Sequence, residues 1–172
     1  MIELYKELVG TILDIGGGGE GVIGRLYGKQ VIAIDNCQQE LDEAPNCCEK
    51  VLMDATEMTF ADNAFDNVTF FYTLMFMTEE EQQKALCEAA RVVEPMGEVH
   101  IWDCHIDSAY PDPFCTDVDI LLLDQEIHTT YGISKTDKQS VESITFMCEN
   151  AGLTLETAET NGLHFYIRCR KG

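Results

Sequence analysis

Short apolar runs alternate with amphipathic stretches along most of the chain, the pattern of parallel strands joined by crossover helices. Thr11–Ile15 predicts a first buried strand, followed by a glycine-rich turn and a helix over about Glu20–Tyr27. Gln30–Asp35 predicts a second strand, Gln38–Ala44 a short helix stopped by Pro45, and Glu49–Met53 a third strand. A fourth strand lies within Phe65–Tyr72, where valine and aromatic residues cluster. Thr78 opens the clearest helix: Glu81 follows it at the capping-box spacing, and Glu79 and Glu80 suit the positive helix end. Ala85, Leu86, Ala89, Val92 and Val93 form the apolar face of that helix. Pro95-Met-Gly97 ends it, and Val99–Cys104 follows as a fifth strand. Asp137–Asn150 predicts a last helix closed by Gly152, and Leu153–Glu159 with Leu163–Arg170 an antiparallel hairpin turned by Thr160-Asn-Gly. Residues 106–133 read as irregular, with Pro111, Pro113 and an apolar knot at Ile120–Leu123, and Ile2–Leu8 has room for barely two helical turns.

No linker, repeat or low-complexity segment interrupts this pattern, so the 172 residues read as one domain, with 106–133 as its substrate or lid segment. An apolar share of 45% argues against disorder. The longest apolar run, Val68–Met77, is too short to span a bilayer, and Met1–Glu7 lacks the basic start and apolar stretch of a secretory signal. A cytoplasmic location is expected. Charge narrows the partners: 11 Lys and Arg stand against 31 Asp and Glu, a formal net charge of −20. Phosphate backbones are bound by basic stripes, and the one basic cluster is Arg168, Arg170 and Lys171, so nucleic acid and anionic membranes are disfavoured. The 8 cysteines form no C-x-x-C pair, and adjacent Cys47-Cys48 suits no zinc site. Most of them read as small buried hydrophobes, with neither disulfides nor a metal expected. Cys104, His105, Cys115 and His128 are the one set that could hold a metal or soft metalloid, at a spacing that matches no standard site.

Three features fall just past the C-terminal ends of predicted strands, where open α/β sheets bind ligands. The first is Leu13-Asp14-Ile15-Gly16-Gly17-Gly18-Gly19-Glu20-Gly21, whose glycine surplus is expected where backbone lies close against a ligand. The second is Asp35, 19 residues after Gly16, a carboxylate able to accept both hydroxyls of a ribose, with Asn36 beside it. The third is Asp54-Ala55 after the third strand, where an adenine amino group could meet an acceptor. Tyr72 or Thr73, after the fourth strand, could line the same site, whereas Phe71 reads as core. Gly16-x-Gly18-x-x-Gly21 with Asp35 also fits a dinucleotide fingerprint. Asp14 separates the two readings, since a carboxylate there repels a pyrophosphate but attracts the ammonium and sulfonium of S-adenosylmethionine. Little chain remains for the further structure that an NAD(P)-dependent oxidoreductase would need.

On these residues the chain resembles the class I S-adenosylmethionine-dependent methyltransferases, in the small-molecule group that includes the ubiquinone- and menaquinone-biosynthesis type. Leu13–Gly21 is similar to the family's glycine-rich first motif and Val31–Asp35 to its ribose-binding strand. Met53-Asp54-Ala55, with Met58-Thr-Phe60 and Ala64-Phe-Asp66, resembles its adenine-side segment and the start of its fourth strand. Ala90–Gly97 running into Glu98–Trp102 resembles the helix, turn and strand that follow. The resemblance implies a Rossmann-like, doubly wound α/β fold with a mostly parallel sheet and a C-terminal antiparallel hairpin. It implies S-adenosylmethionine as cofactor, held by Asp14, Gly16, Gly17, Gly18, Asp35, Asn36, Asp54, Ala55 and Tyr72, and a small-molecule acceptor held by residues 105–133.

Two departures stand out. The family's third glycine would fall at Glu20, with Gly21 one step later, and the N-terminal segment is shorter than the helices that usually cover the cofactor. Either residues 106–133 then supply the cover, or a partner subunit does, as in a homodimer, or the site is unusually open. No catalytic base is evident: Asp103, His105, Tyr110, His128 and Tyr131 lie where the family usually recognises substrate. None is required unless the acceptor must lose a proton, because a sulfonium methyl is already activated. The alternatives are an NAD(P)-dependent oxidoreductase and a non-catalytic S-adenosylmethionine-binding module.

Overall fold

The structure, a computed structural model, describes residues 1–108, 111–123, 125–135 and 137–172. A short strand, β1 (Ile2–Leu4), precedes β2 (Ile12–Ile15), α1 (Val22–Tyr27), β3 (Val31–Asp35), α2 (Gln38–Glu43) and β4 (Glu49–Leu52). The chain continues through β5 (Phe65–Phe71), α3 (Glu79–Val92) and β6 (Val93–Cys104), then β7 (Phe114–Leu122) and β8 (Gln125–Ile133). It closes with α4 (Val141–Asn150), β9 (Leu153–Asn161) and β10 (His164–Lys171).

The large sheet has 7 strands in the order β4-β3-β2-β5-β6-β10-β9. All pairs from β4 to β6 are parallel, and β10 runs antiparallel to both β6 and β9. From β2 the chain winds outward to β3 and β4, then returns to β5 and winds the other way. The topological switch point therefore lies between β2 and β5, at their C-terminal ends. This is the Rossmann-like, doubly wound sheet with a closing hairpin that the family resemblance implies.

The two-residue period of a strand sorts side chains onto two layers. Leu13, Ile15, Ile34, Val99, Ile101 and Ile167 pack with Ala85, Leu86 and Ala89 of α3 and Ile144 and Cys148 of α4. Ile12, Val31 and Ala33 pack on the other side with Val22, Ile23 and Leu26 of α1. Each buried Leu, Ile or Val among them contributes about 1.5–3 kcal/mol. Asp14 shares the side of Ile12 and is the polar exception in β2. α3 begins as expected: Thr78 Oγ1 accepts from the Glu81 amide at 3.3 Å, and the Glu81 carboxylate accepts from the Thr78 amide at 2.8 Å.

Several sequence expectations are corrected. α4 starts at Val141, capped by Ser140 and Ser143, and not at Asp137. Gln139 and Ile106 exchange backbone hydrogen bonds of 2.9 and 3.1 Å as an isolated antiparallel bridge, which keeps Gln139 out of the helix. β6 reaches back to Val93, with a register shift opposite Phe65/Asn67 absorbing Pro95–Gly97. Residues 106–133 are not irregular: β7 and β8 pair in continuous register from Phe114↔Ile133 to Leu122↔Gln125. Buried Thr116, Val118, Ile120 and Leu122 alternate along β7 with outward residues. Ile2–Leu4 is a strand and no helix, because it pairs in parallel with Ile120–Leu122. The resulting β1-β7-β8 sheet lies on the α1 side, where Leu4, Val118, Ile120 and Leu122 join Tyr27, Phe71 and Tyr72.

The thiols also differ from expectation. Cys104, Cys148 and Cys169 are buried, Cys47 and Cys48 are half-buried, and Cys37, Cys87 and Cys115 are exposed. Cys37 caps α2, and Cys115 takes an outward position of β7. Among the described residues no helix is long and apolar enough to cross a membrane.

Candidate active site

A cavity of about 860 Å³ opens at the switch point. The nine residues singled out from sequence, Asp14, Gly16, Gly17, Gly18, Asp35, Asn36, Asp54, Ala55 and Tyr72, all line it. They come from the ends of β2, β3, β4 and β5, which the parallel winding places side by side. The glycine-rich turn is held by protein contacts of its own. The amides of Gly16 and Gly17 donate to the Ile34 carbonyl at 2.8 and 3.0 Å, and that of Gly19 donates to the Glu40 carbonyl at 2.8 Å. A Cβ on Gly17 would fall 2.5 Å from Asp14 Oδ2, and one on Gly18 2.6 Å from Glu40 Cβ. The bareness of the turn thus lets Asp14 and α2 close against it, a reason that the sequence reading, framed around a ligand, did not contain.

Asp14 is 2% exposed and accepts a 2.7 Å hydrogen bond from the Thr69 hydroxyl. Burial pushes its pKa up to about 7, the Thr69 bond opposing and the nearby Asp35 carboxylate adding to the rise. Asp35 accepts from the amides of Gly18 at 3.3 Å and Cys37 at 2.9 Å. Asp54 accepts from the Thr56 amide at 2.8 Å and hydroxyl at 2.7 Å, which holds its pKa below the usual carboxylate range. That Asx turn is the turn-forming role such a residue commonly plays. Among the described residues the lining carries Asp14, Glu20, Asp35, Glu40, Glu43, Asp54 and Glu81 against Arg25 alone. Arg25 is itself engaged, its Nε donating to the Glu20 carbonyl at 2.6 Å.

The other wall is aromatic. Tyr72 has φ 51°, a left-handed backbone rare for a bulky residue, and is held by its amide donating to the Trp102 carbonyl at 2.8 Å. Its ring stacks on Tyr131 with centroids 5.0 Å apart, and Phe76 meets Tyr131 edge-on. The Tyr72 hydroxyl lies 2.6 Å from His164 Nδ1. Burial raises the Tyr72 pKa and lowers that of His164, so the proton stays on the phenol and Nδ1 accepts it. Thr73 also lines the cavity, its hydroxyl donating to the Ile15 carbonyl at 2.9 Å.

The substrate-side candidates are dispersed. Asp103 is fully buried and accepts from the Cys104 amide, the Gln139 side chain and the Met75 amide. His105 packs edge-on against Phe165, and exposed His128 pairs with Asp119. Tyr110 lies outside the described residues. Among the described residues no three His, Cys, Asp or Glu side chains converge on a metal position. Of the substrate-side candidates Tyr131 lies in the lining, whereas sequence reasoning missed Glu40, Phe76, Met77, Glu81, Thr129, Thr130 and Gly132 there, and His164 behind Tyr72. Glu126–Ile133 carries a two-residue alternation that could have revealed β8, whereas nothing local marks His164.

The fold is shared with solved methyltransferases. An S-adenosylmethionine-dependent methyltransferase from Methanosarcina mazei superposes with a TM-score of 0.69 at 16% identity, over 97% of this chain and 94% of that one. One from Mesorhizobium loti gives 0.67 at 14% identity, over 97% and 94%. The glycopeptide N-methyltransferase MtfA, solved with S-adenosylhomocysteine, gives 0.66 at 11% identity, over 96% and 84%. At these identities the likeness is one of fold. No curated protein matches the chain by sequence. The architecture is that of the class I S-adenosylmethionine-dependent methyltransferases. The methyltransferase domain family matches residues 13–101, more than half of the chain, and the protein belongs to that family: it is an S-adenosylmethionine-dependent methyltransferase.

Proposed function

We propose that the switch-point cavity holds the S-adenosylmethionine and that the methyl acceptor is a small, non-anionic molecule entering beside Tyr72, Phe76 and β8. The charge of the lining carries this reading: seven carboxylates face one engaged guanidinium. Such a field stabilises an ammonium and a sulfonium and opposes a pyrophosphate, which disfavours a nicotinamide dinucleotide. It equally disfavours a phosphorylated or nucleic-acid acceptor. The C-terminal basic cluster offers such an acceptor little, since Arg170 is bonded to Glu98 at 2.7 Å and Lys171 to the Val93 carbonyl at 2.8 Å.

In this reading Asp35 accepts ribose hydroxyls with the lone-pair sites left after Gly18 and Cys37. Asp14 faces the positive end of the cofactor, and Gly16, Gly17 and Gly18 form a floor without side chains. Asn36, Asp54 and Ala55 flank the adenine, and Tyr72 the transferred group. Bound there, the cofactor supplies a methyl group already activated on a positive sulfur. The protein adds alignment and exclusion of water through the Tyr72–Tyr131 stack and Phe76. Phe76 is 51% exposed, which favours a second copy of the chain as further cover, in a homodimer. A cytoplasmic location and a place in the ubiquinone- and menaquinone-type group rest on the sequence reading.

Release of S-adenosylhomocysteine, measured with a panel of amines, phenols, thiols and their phosphorylated or carboxylated counterparts, tests the proposal. Turnover confined to neutral and cationic acceptors is expected. Turnover only with phosphorylated acceptors or nucleic acid would overturn it, and none with any acceptor would favour a binding module.

A further inference from the structure

The sheet carries a second cavity, of about 460 Å³, on the face turned away from α3 and α4. Its floor is built by register. Tyr166 of β10 lies opposite Trp102 of β6 and Glu159 of β9, and Arg168 lies opposite His100. Aromatic and charged residues therefore occupy this face where Ile101, Phe165 and Ile167 occupy the other. The Trp102 and Tyr166 rings are 5.0 Å apart, His100 stacks on Trp102 at 6.0 Å, and the Tyr166 hydroxyl is 2.9 Å from His100 Nδ1. The roof is the segment Met1–Leu8. Tyr27 ties it down, its hydroxyl accepting from the amides of Glu7 at 3.1 Å and Leu8 at 3.2 Å and donating to the Tyr5 carbonyl at 3.0 Å.

The rim is acidic. Glu3, Glu7, Glu98 and Glu159 line the cavity, with Arg168 and Met1 as its basic groups. Glu98 is neutralised by Arg170 at 2.7 Å, and Arg168 is drawn to Glu156 at 3.6 Å, so Glu3, Glu7 and Glu159 have no guanidinium partner among the described residues. His100 is 3% exposed, and its Nε2 has no hydrogen-bond partner although Glu98 Oε2 lies 3.3 Å away. An electron-rich floor beneath a carboxylate rim is the chemistry that recognises an organic cation, through the ring quadrupoles and the rim charge together.

We propose that this cavity is a second ligand site, which takes a small organic ammonium with an apolar or aromatic body. It is separate from the donor pocket: the two share no lining residue and meet at the wall where Tyr72 is bonded to His164 and to the Trp102 carbonyl.

Trp102 is the 1 tryptophan in the chain and lines this cavity, so tryptophan fluorescence reports on its occupancy. Titration with benzyltrimethylammonium and phenethylammonium, against 2-phenylethanol and 3-phenylpropionate, measures the preference for charge. Saturable change with both cations is expected, about tenfold tighter than with the alcohol and tighter still than with the anion. Glu3→Gln and Glu159→Gln should each weaken the cations about threefold, and Tyr166→Leu about tenfold. Should Tyr166→Leu fail to fold, the two glutamate variants still decide. Calorimetry with S-adenosylhomocysteine on the same variants should show unchanged binding, which separates this site from the donor pocket. Equal binding of cation, alcohol and anion, no saturable change with either cation, or indifference to both glutamate variants would overturn the proposal and leave the donor site as read.

Discussion

Asp14→Asn probes the balance between folding and binding at the donor pocket. The Asp14 carboxyl is 2% exposed, and burial lifts its pKa from 3.8 to about 7. A folded-state pKa above the unfolded one means that the native protein keeps a proton the unfolded chain has given up. Stability then falls as pH rises from about 4 to 7, and the full penalty is present above that window. A displacement of that size corresponds to about 4 kcal/mol at pH 8. Asparagine preserves the shape and the acceptor for Thr69 but introduces a buried amide donor, which returns part of the gain. The ligand-free variant should therefore be about 2 kcal/mol more stable at pH 8, seen as a rise of about 5 °C in Tm, and no more stable at pH 5. S-adenosylmethionine should bind the variant at least about tenfold more weakly at pH 8, for want of the carboxylate. In the unaltered protein its affinity should climb up to about tenfold per pH unit below 7 and level off above, a slope the variant lacks. Urea unfolding and calorimetry at the two pH values check both halves. A variant destabilised at pH 8, or one that binds the cofactor normally, would refute the reasoning.

Two further substitutions test the supports of the site. Gly18→Ala would place a Cβ 2.6 Å from Glu40 Cβ and 2.7 Å from Asp35 Oδ2. It should cost about 1–3 kcal/mol and lower S-adenosylhomocysteine affinity at least about tenfold, and unaltered binding by calorimetry would count against the packing described. Gln139→Leu removes the donor to Asp103 Oδ1 at 2.7 Å and the acceptor of Gln82 Nε2 at 2.7 Å. Because Asp103 is already pushed up to about 6 by burial, losing that donor raises it further and penalises its ionised form more. A loss of about 3 kcal/mol is expected at pH 8 and less at pH 5, and equal losses in urea unfolding at both values would contradict it.

The parts of this protein written locally in the sequence are those that it discloses. The capping box at Thr78, the buried β2 run before the glycine turn, and the acids closing β3 and β4 are each set by neighbours a few residues away. β1 is not, because three residues form a strand only once Ile120–Leu122 lies beside them. β7 and β8 have period-two patterning, but Pro111 and Pro113 ahead of it and the mixed Thr, His and Tyr content obscure the signal. The cysteines were misjudged for a related reason, since residue type says little about whether a cap, helix or strand position such as Cys37, Cys87 or Cys115 faces out. The glycine turn was located correctly, while its cause lies partly in Asp14 and Glu40, which only the folded chain brings against it. His164 was invisible because its partner Tyr72 is near only after β10 has docked beside β6.

The central claim is that the switch-point cavity, through Asp35, binds the adenosyl cofactor. Calorimetric titration of the protein and its Asp35→Ala variant with S-adenosylhomocysteine, S-adenosylmethionine and NADH tests it most directly. Each hydroxyl bonded to the Asp35 carboxylate should contribute about 1.5–3 kcal/mol, so the variant should lose at least about tenfold in affinity for both adenosyl compounds. Neither protein should bind NADH. Adenosyl binding that survives the substitution unchanged, or NADH binding in its place, would contradict the account.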